Sequence, residues 1–552
     1  MAESTVMEHI VKCIENKRNF ILDAGAGSGK THTLVEALNY LIDQDGKKYK
    51  STGQKIACIT YTNVAVDEIK NRISSDASVH VSTIHGFLWS VIGKYQKELK
   101  EALIFMNNKD DNLEDKLVGK KIEYVEYRKI EDGKISHNDI ISISKILFDK
   151  YEKLSRVVAD MYPVIFVDEY QDTNEKVIQI LLDIINHHYG DRILIGFFGD
   201  WMQNIYDTGV GYIDSDEKNL KRIAKNENYR SSKSVVNVIN HLRSDITQVA
   251  MSKVEGSAVF YYREEGDVEK ALNDLKEKIQ INSDRGENLK ILALTNRIIA
   301  SNTGWDTLFS IYKSYSNSKE NKIFSTDNLL RGEDPYSEFY EYVENITASF
   351  ENKSYGDLYQ IFKASLNNEE YRNNLSKFKK DLGKVLTELS TLSHEGTIED
   401  VANYIISKPI IPTDSKLNPI LEEIKAGRVM VKGSKSSTPL YLKDCKYSEV
   451  RSMMKYRNEM TPFSTQHGTK GAEYDDVVVV LDNGNWSYYD FYSALTCNSN
   501  MKKNSVYDRS LKILYVSLSR ARNNLSVLMV KPDSSVLASV RDIFGKNNVI
   551  KF

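Results

Sequence analysis

The chain has 552 residues and a net charge of −3, with 41% hydrophobic and 27% charged residues, a balance that describes several folded domains and excludes a disordered or polycationic chain. No apolar run approaches the roughly 20 residues that cross a bilayer, and the mixed-charge start "MAESTVMEHIVKCIENKRNF" reads as neither signal nor transit peptide. Cys13, Cys58, Cys445 and Cys497 stand singly with no C-x-x-C pair, which disfavours a disulfide framework, a zinc ribbon or a cysteine-ligated cluster and fits a reducing cytoplasm with no membrane partner.

The first short β-branched run, "NFILDAG", passes into "AGAGSGKT" (Ala24–Thr31) and opens a helical pattern. Gly25, Gly27 and Gly29 allow backbone turns that aim successive N–H groups at one anion, with Ala24, Ala26 and Ser28 completing the loop, and the helix N-terminus adds its dipole. Lys30 is expected at the β- and γ-phosphates of ATP, and the Thr31 hydroxyl at Mg²⁺. A strand before and a helix after make this a specific nucleotide signal, although the full pattern has glycine where Ala24 stands.

Farther along come "KIACITYT", a charged helical stretch between Tyr95 and Val158, and then "VIFVDEYQDT" and "RILIGFFGD". Asp168 ends a buried run downstream of the phosphate loop, where a carboxylate holds Mg²⁺ through water. Glu169 beside it is placed to take a proton from the water that attacks the γ-phosphate. Gln171 and Asp172 exceed what a simple ATPase needs and suggest a side chain that senses the γ-phosphate. An acidic loop capping a helix through Asp172, Thr173 and Asn174 explains part of the run equally well. The later buried runs are "ILALTNR", "DVVVVLD" and "LSVLMV", with a helix-rich segment between about Ser325 and Lys455 that contains the lysine- and serine-bearing loop "VKGSKSSTPLYLKD". Runs buried on both faces and separated by helices predict parallel α/β sheets.

With "AGAGSGKT" and "DEYQDT" in hand, the chain resembles the UvrD/Rep/PcrA-like superfamily 1A DNA helicases. "TYTNVAVDEIKNRI" and "STIHGFLW" are similar to two family segments that lie against single-stranded DNA, which marks Thr62, Asn63, His85 and Phe87. The apolar helix around Phe87 and Trp89 nonetheless favours core. "GDWMQNIY" resembles the segment whose glutamine, here Gln203, links γ-phosphate to DNA, with Tyr206 as a further strand contact. By the likeness of "NYRSS", Tyr229 stacks on adenine and Arg230 touches the γ-phosphate. "STQHGTKGAEYDDVVVV" implies Glu473 as a ribose contact and Thr465 and His467 as DNA contacts, and "LYVSLSRARNNL" implies Arg520 as the second γ-phosphate arginine. His85 and His467 also fit ordinary satisfied side chains.

The resemblance implies two RecA-like P-loop NTPase domains with parallel sheets, each interrupted by a mostly helical insertion. The expected division is 1–95 and 156–214 for domain 1A, 96–155 for insertion 1B, 215–325 and 456–552 for domain 2A, and 326–455 for insertion 2B. It implies an ATP- and Mg²⁺-dependent helicase or translocase moving 3′→5′ on single-stranded or partially duplex DNA, in DNA repair or antiphage defence. The chain departs from the family in three places: Thr208 occupies a tryptophan position, no glutamine precedes Lys30, and Ser519 replaces a threonine. Both insertions are short, and no room for a C-terminal nuclease domain is expected. That compact plan is similar to the helicase subunits of Gabija-like antiphage systems, which work beside a separate nuclease. An ATP-gated DNA sensor that activates such a partner, with little unwinding of its own, is the alternative.

Overall fold

The computed structural model describes residues 5–108, 110, 112–279, 288–316, 324–426, 442–484, 486–496 and 505–552. In chain order the strands are β1 (Phe20–Ala24), β2 (Ile56–Thr60), β3 (Val79–Thr83), β4 (Glu123–Tyr124), β5 (Lys134–Ile135), β6 (Val164–Asp168), β7 (Leu194–Gly199), β8 (Lys221–Lys225), β9 (Glu227–Asn228) and β10 (Val249–Ala250). They continue with β11 (Ser257–Arg263), β12 (Leu289–Ala293), β13 (Phe463–Thr465), β14 (Tyr474–Val480), β15 (Ala521–Val530) and β16 (Val549–Lys551).

Two six-stranded sheets dominate, in the orders β3-β2-β6-β7-β1-β8 and β13-β12-β14-β15-β11-β16. Every pairing in both is parallel. The fold is therefore α/β with two parallel sheets, as the buried runs imply, and they are RecA-like, as the family resemblance implies. Strands β1, β2, β6 and β7 are buried at every residue, which parallel strands covered by helices on both faces require.

Two expected boundaries are corrected. The division at 214/215 assigns Lys221–Lys225 to the second domain, yet this strand pairs along its length with β1 and closes the first sheet. Its sequence, "KRIAK", has no apolar run to betray it, because an edge strand needs burial on fewer sides. The division at 325/326 is also too late. Trp305, Leu308, Phe309 and Tyr312 pack into the same core as Tyr336, Phe339, Leu389 and Val450, so the second insertion's hydrophobic cluster begins near Ala300.

The first insertion has no separate core. Leu99, Leu103, Ile140 and Leu147 pack against Ile21, Ile59 and Ile165 on one face of the first sheet. The two halves meet through Ala26, Met202 and Ile205, which join the core on one face of the second sheet. Cys13, Cys58 and Cys445 are buried free thiols, while Cys497 and residues 431–441 of the lysine- and serine-bearing loop lie outside the described residues. Among the described residues no helix is long and apolar enough to cross a membrane.

Candidate active site and nucleic-acid interface

The phosphate loop leaves β1 at Ala24 and enters the helix Lys30–Thr52. Gly27 and Gly29 both sit at φ 76°, in the left-handed region that favours glycine. Gly25 answers a different need. A Cβ there would come within 2.3 Å of Gln248 Nε2, because the Gln248 amide reaches across to donate to the Ala26 carbonyl at 3.0 Å. Asn228 Nδ2 donates to the same carbonyl at 2.9 Å, and the Ala26 N–H donates to the Tyr515 hydroxyl at 3.0 Å. The loop is thus gripped from outside the first sheet. The Ser28 hydroxyl is buried and finds no partner among the described residues, an orphan suited to a phosphate.

Lys30 Nζ lies 2.5 Å from Glu169 Oε1 and 3.6 Å from Asp168 Oδ1. Burial works against the ammonium, but Glu169 and Asp168 outweigh it and raise its pKa. Burial lifts Asp168 above the usual carboxylate range. It would lift Glu169 too, but Lys30 holds that carboxyl below. Two adjacent acids are thereby driven apart, with Glu169 ionised as a base must be. Glu169 also adopts φ 50°, a left-handed conformation that costs a non-glycine residue energy and is found where function over-determines the backbone.

Asp168 Oδ1 is buried and accepts no hydrogen bond, and Thr31 follows Lys30 on the first turn of the helix. That donor set fits Mg²⁺ bound mainly by phosphates and water, since among the described residues no three His, Cys, Asp or Glu side chains converge as a cage. When bound, the ion would neutralise charge on the β- and γ-phosphates.

Gln171 is fully buried. Its Nε2 donates to Glu169 Oε2 at 2.5 Å and its Oε1 accepts from the Asp200 N–H at 3.1 Å. Asp200 in turn accepts from Gln203 Nε2 at 2.9 Å, from Arg243 Nη1 at 3.1 Å and from the Tyr515 hydroxyl at 3.1 Å. Asp200 and Arg243 are a wholly buried ion pair. Burial alone would lower the Arg243 pKa, but the Asp200 carboxylate raises it. Asp200, Arg243 and Tyr515 escaped the sequence reading, because no local spacing brings together residues so far apart in the chain.

Arg520 is 1% exposed and donates to the Val516 carbonyl at 2.9 Å, the Ala472 carbonyl at 3.1 Å and, at 3.5 Å, Gln203 Oε1. Burial and then the neighbouring Arg230 depress its pKa to about 9, and no carboxylate lies in ion-pair range among the described residues. Arg230 instead pairs with Glu473 at 2.5 Å, and Glu473 pairs with Arg522 at 2.5 Å as well. A cavity of about 570 Å³ opens beside them between Gly27–Gly29, His32, Lys225, Tyr229 and Glu473. Tyr229 is 58% exposed there, with Lys225 Nζ 5.7 Å from its ring centroid. An exposed ring, an arginine, a glycine loop and an orphan hydroxyl suit a nucleoside triphosphate.

The candidate strand contacts divide among several settings. Thr62 caps the helix Asn63–Arg72 by accepting from the Ala65 N–H at 3.2 Å, so its hydroxyl already has a structural use. Asn63 is exposed at the start of that helix. Phe87 is a correction: it is 2% exposed and packs on Tyr162 at 5.3 Å, so it is core and cannot stack on a base. His85 lies 4.6 Å from His137, and burial followed by that neighbour lowers its pKa to about 4. Tyr206 sits under Lys470 Nζ at 5.1 Å, and Tyr212 sits under the Arg222 guanidinium at 4.7 Å. Thr465 and His467 share a cleft of about 1070 Å³ where the second sheet meets its insertion, and His467 Nε2 is 2.8 Å from the Tyr489 hydroxyl.

A family model described as an AAA domain matches residues 7–209, which span the first sheet from β1 to β7. Along its length the chain is similar to Gabija protein GajB of Bacillus cereus strain HuB5-5, at 28% identity over 99% of this chain and 98% of that protein. It is similar at 22% identity to ATP-dependent DNA helicase PcrA of Staphylococcus aureus strain Mu50, over 53% of this chain and 48% of the relative. DNA helicase II of Haemophilus influenzae matches at 24% over 41% and 38% respectively. The resemblance read from the motifs, to UvrD-like helicases and to a Gabija helicase subunit, is borne out.

Proposed function

We propose that this UvrD-like chain is an ATP-hydrolysing DNA helicase or translocase that acts in antiphage defence, moving 3′→5′ on single-stranded DNA. Arg520 carries the reading: a guanidinium buried without a carboxylate, presented by the second sheet's half toward Gln203 of the first. A buried unpaired cation is costly unless an anion completes it. A γ-phosphate held by Lys30 and the glycine loop is such an anion, and cations aimed at it speed phosphoryl transfer. Glu169 takes the proton of the attacking water, Asp168 and Thr31 serve Mg²⁺, and Tyr229 and Glu473 hold adenine and ribose. The Gln171–Asp200–Gln203 chain passes the state of the γ-phosphate to the strand side, so that the two halves close and open with each turnover.

The polarity rests on the family likeness, and antiphage work beside a separate nuclease rests on the full-length likeness to the Gabija protein. The same likeness supports a second reading, an ATP-gated DNA sensor that activates that nuclease in the cytoplasm. The deciding experiment is ATP hydrolysis by the purified chain with and without single-stranded DNA. Strong stimulation by the strand is expected of a motor; low turnover in both conditions would overturn it in favour of the sensor.

A further inference from the structure

We infer that Trp486 is the base-stacking platform of this protein, holding one nucleobase of a single strand in the cleft shared by Thr465 and His467. The inference rests on the strand-binding reading above and adds a contact that sequence motifs did not mark. Trp486 is 46% exposed and lines that cleft. One face of its indole is stacked on Tyr488, with ring centroids 5.6 Å apart and planes inclined by 19°, while Tyr489 meets it at 5.3 Å and 66°. The ring is therefore fixed in place before any ligand arrives, so a base that stacks on it pays little ordering entropy.

The support beneath it is built, not incidental. The Arg509 guanidinium lies 3.7 Å over the Tyr488 ring, and the Tyr489 hydroxyl bonds His467. The Tyr488 hydroxyl bonds Asp207, which belongs to the loop following Tyr206 in the first half of the molecule. That loop, Asp207–Val210, has no aromatic side chain of its own. Trp486 thus belongs to an aromatic cluster of the second sheet's half that is tied to the first half through Tyr488 and Asp207.

Charge in the cleft argues in the same direction. Arg297 and Lys313 are offset there by Glu269, Asp306 and Asp327. With three carboxylates to two cations the cleft's side chains offer phosphates no net attraction, and the grip on a strand has to come from its bases. Tyr206 and Tyr212, two exposed rings of the first half, already carry cations over their faces.

The test uses the full chain and two oligonucleotides of equal length, oligo(dT) and an abasic deoxyribose-phosphate strand. Wild type should bind oligo(dT) more tightly than the abasic strand, with quenching of tryptophan fluorescence, since Trp305 is buried and Trp89 and Trp201 are half-buried. Trp486→Ala should weaken oligo(dT) binding roughly five- to a hundredfold, leave abasic binding unchanged and keep its defect as salt is raised. Trp486→Phe should retain most of the affinity but lose the quenching, which separates stacking from a mere folding defect. If wild type binds neither strand, the strand-binding reading itself fails. If wild type prefers oligo(dT) and Trp486→Ala prefers it equally, the stacking inference is overturned while that reading stands.

Discussion

Lys470 Nζ lies 2.6 and 2.5 Å from the two carboxylate oxygens of Asp172, joining the loop after β6 to the loop ahead of β14 across 298 residues of chain. Asp172 is three residues beyond Glu169 and four beyond Asp168, which ends β6, and Lys470 also lowers the pKa of Glu169. The pair therefore connects the carboxylates at the end of β6 to the same segment that carries His467 and Glu473. Removing either partner strands a largely buried charge, which is costlier than removing both. Asp172→Asn and Lys470→Met should each lower strand-stimulated turnover about tenfold, and the double variant should do no worse than either. Steady-state hydrolysis with saturating oligo(dT) measures the cycle; additive losses would show that the pair is not a unit.

The same carboxylate sets a pH dependence. Burial pushes Asp172 up to about 6, against the pull of Lys470. An unfolded aspartate titrates near 4, so the stability contributed by its native protonation is full below about pH 4 and lost as pH rises through 6. Coupling to the strand runs the other way, because a protonated Asp172 no longer pairs with Lys470. Strand-stimulated turnover should fall on an acid limb near pH 6, and Asp172→Asn should lack that limb. A profile unchanged in the variant assigns the limb to another group.

On the proposed reading, Arg520 trades stability for catalysis. Its buried guanidinium accepts the repulsion of Arg230, and among the described residues it donates to two backbone carbonyls, the Ser519 hydroxyl and Gln203. Arg520→Met should cut turnover about a thousandfold or more. It should leave the Tm of the nucleotide-free protein unchanged or higher, and shrink the rise in Tm that ATP produces. Arg520→Lys should not rescue turnover, since a point charge cannot reproduce the planar fork. Differential scanning fluorimetry with and without nucleotide separates these outcomes.

The sheets and the nucleotide loop were legible in the sequence for one physical reason: strands buried on both faces must be apolar throughout, and phosphate loops must be glycine-rich. β8 was not legible, because an edge strand such as "KRIAK" tolerates charge. Phe87 was misplaced because a motif position says which segment approaches DNA, not which side of its helix does; the apolar pattern of "IHGFLWSVI" pointed correctly to the core. Gln248, Arg243 and Lys470 were invisible for a third reason. Each acts across the contact between two halves of the chain, and nothing in local spacing reports that contact.

Gly25 and Gln248 make this point testable. Gly25 has no unusual backbone angle, and only the Gln248 side chain, 2.3 Å from where a Cβ would sit, forbids alanine there. Gly25→Ala should weaken ATP binding about tenfold, because the new Cβ collides with the Gln248 side chain and pushes the loop backbone out of place. Combining it with Gln248→Ala should restore most of the loss, because the clash is with the end of one side chain. Gly27→Ala should find no such rescue, since its φ of 76° strains any side chain and a Cβ would also meet Arg230 Cβ at 2.6 Å. Titration with a fluorescent ATP analogue gives the three affinities; failure of the double variant to recover would mean that Gly25 is needed by the nucleotide itself.

Glu169 isolates the chemical step from binding. Its carboxylate is held by Lys30 on one oxygen and by Gln171 on the other. A glutamine keeps an oxygen for one of these partners and the same length, but cannot take a proton from water. Glu169→Gln should therefore reduce turnover by ~10²–10⁴-fold while ATP still alters strand affinity, because in the proposed function the Gln171–Asp200–Gln203 relay senses the phosphate rather than the proton transfer. Single-turnover hydrolysis and strand binding with and without ATP report the two halves separately. Normal hydrolysis in the variant would remove Glu169 from the base's role, and loss of the ATP effect on binding would place Glu169 inside the relay.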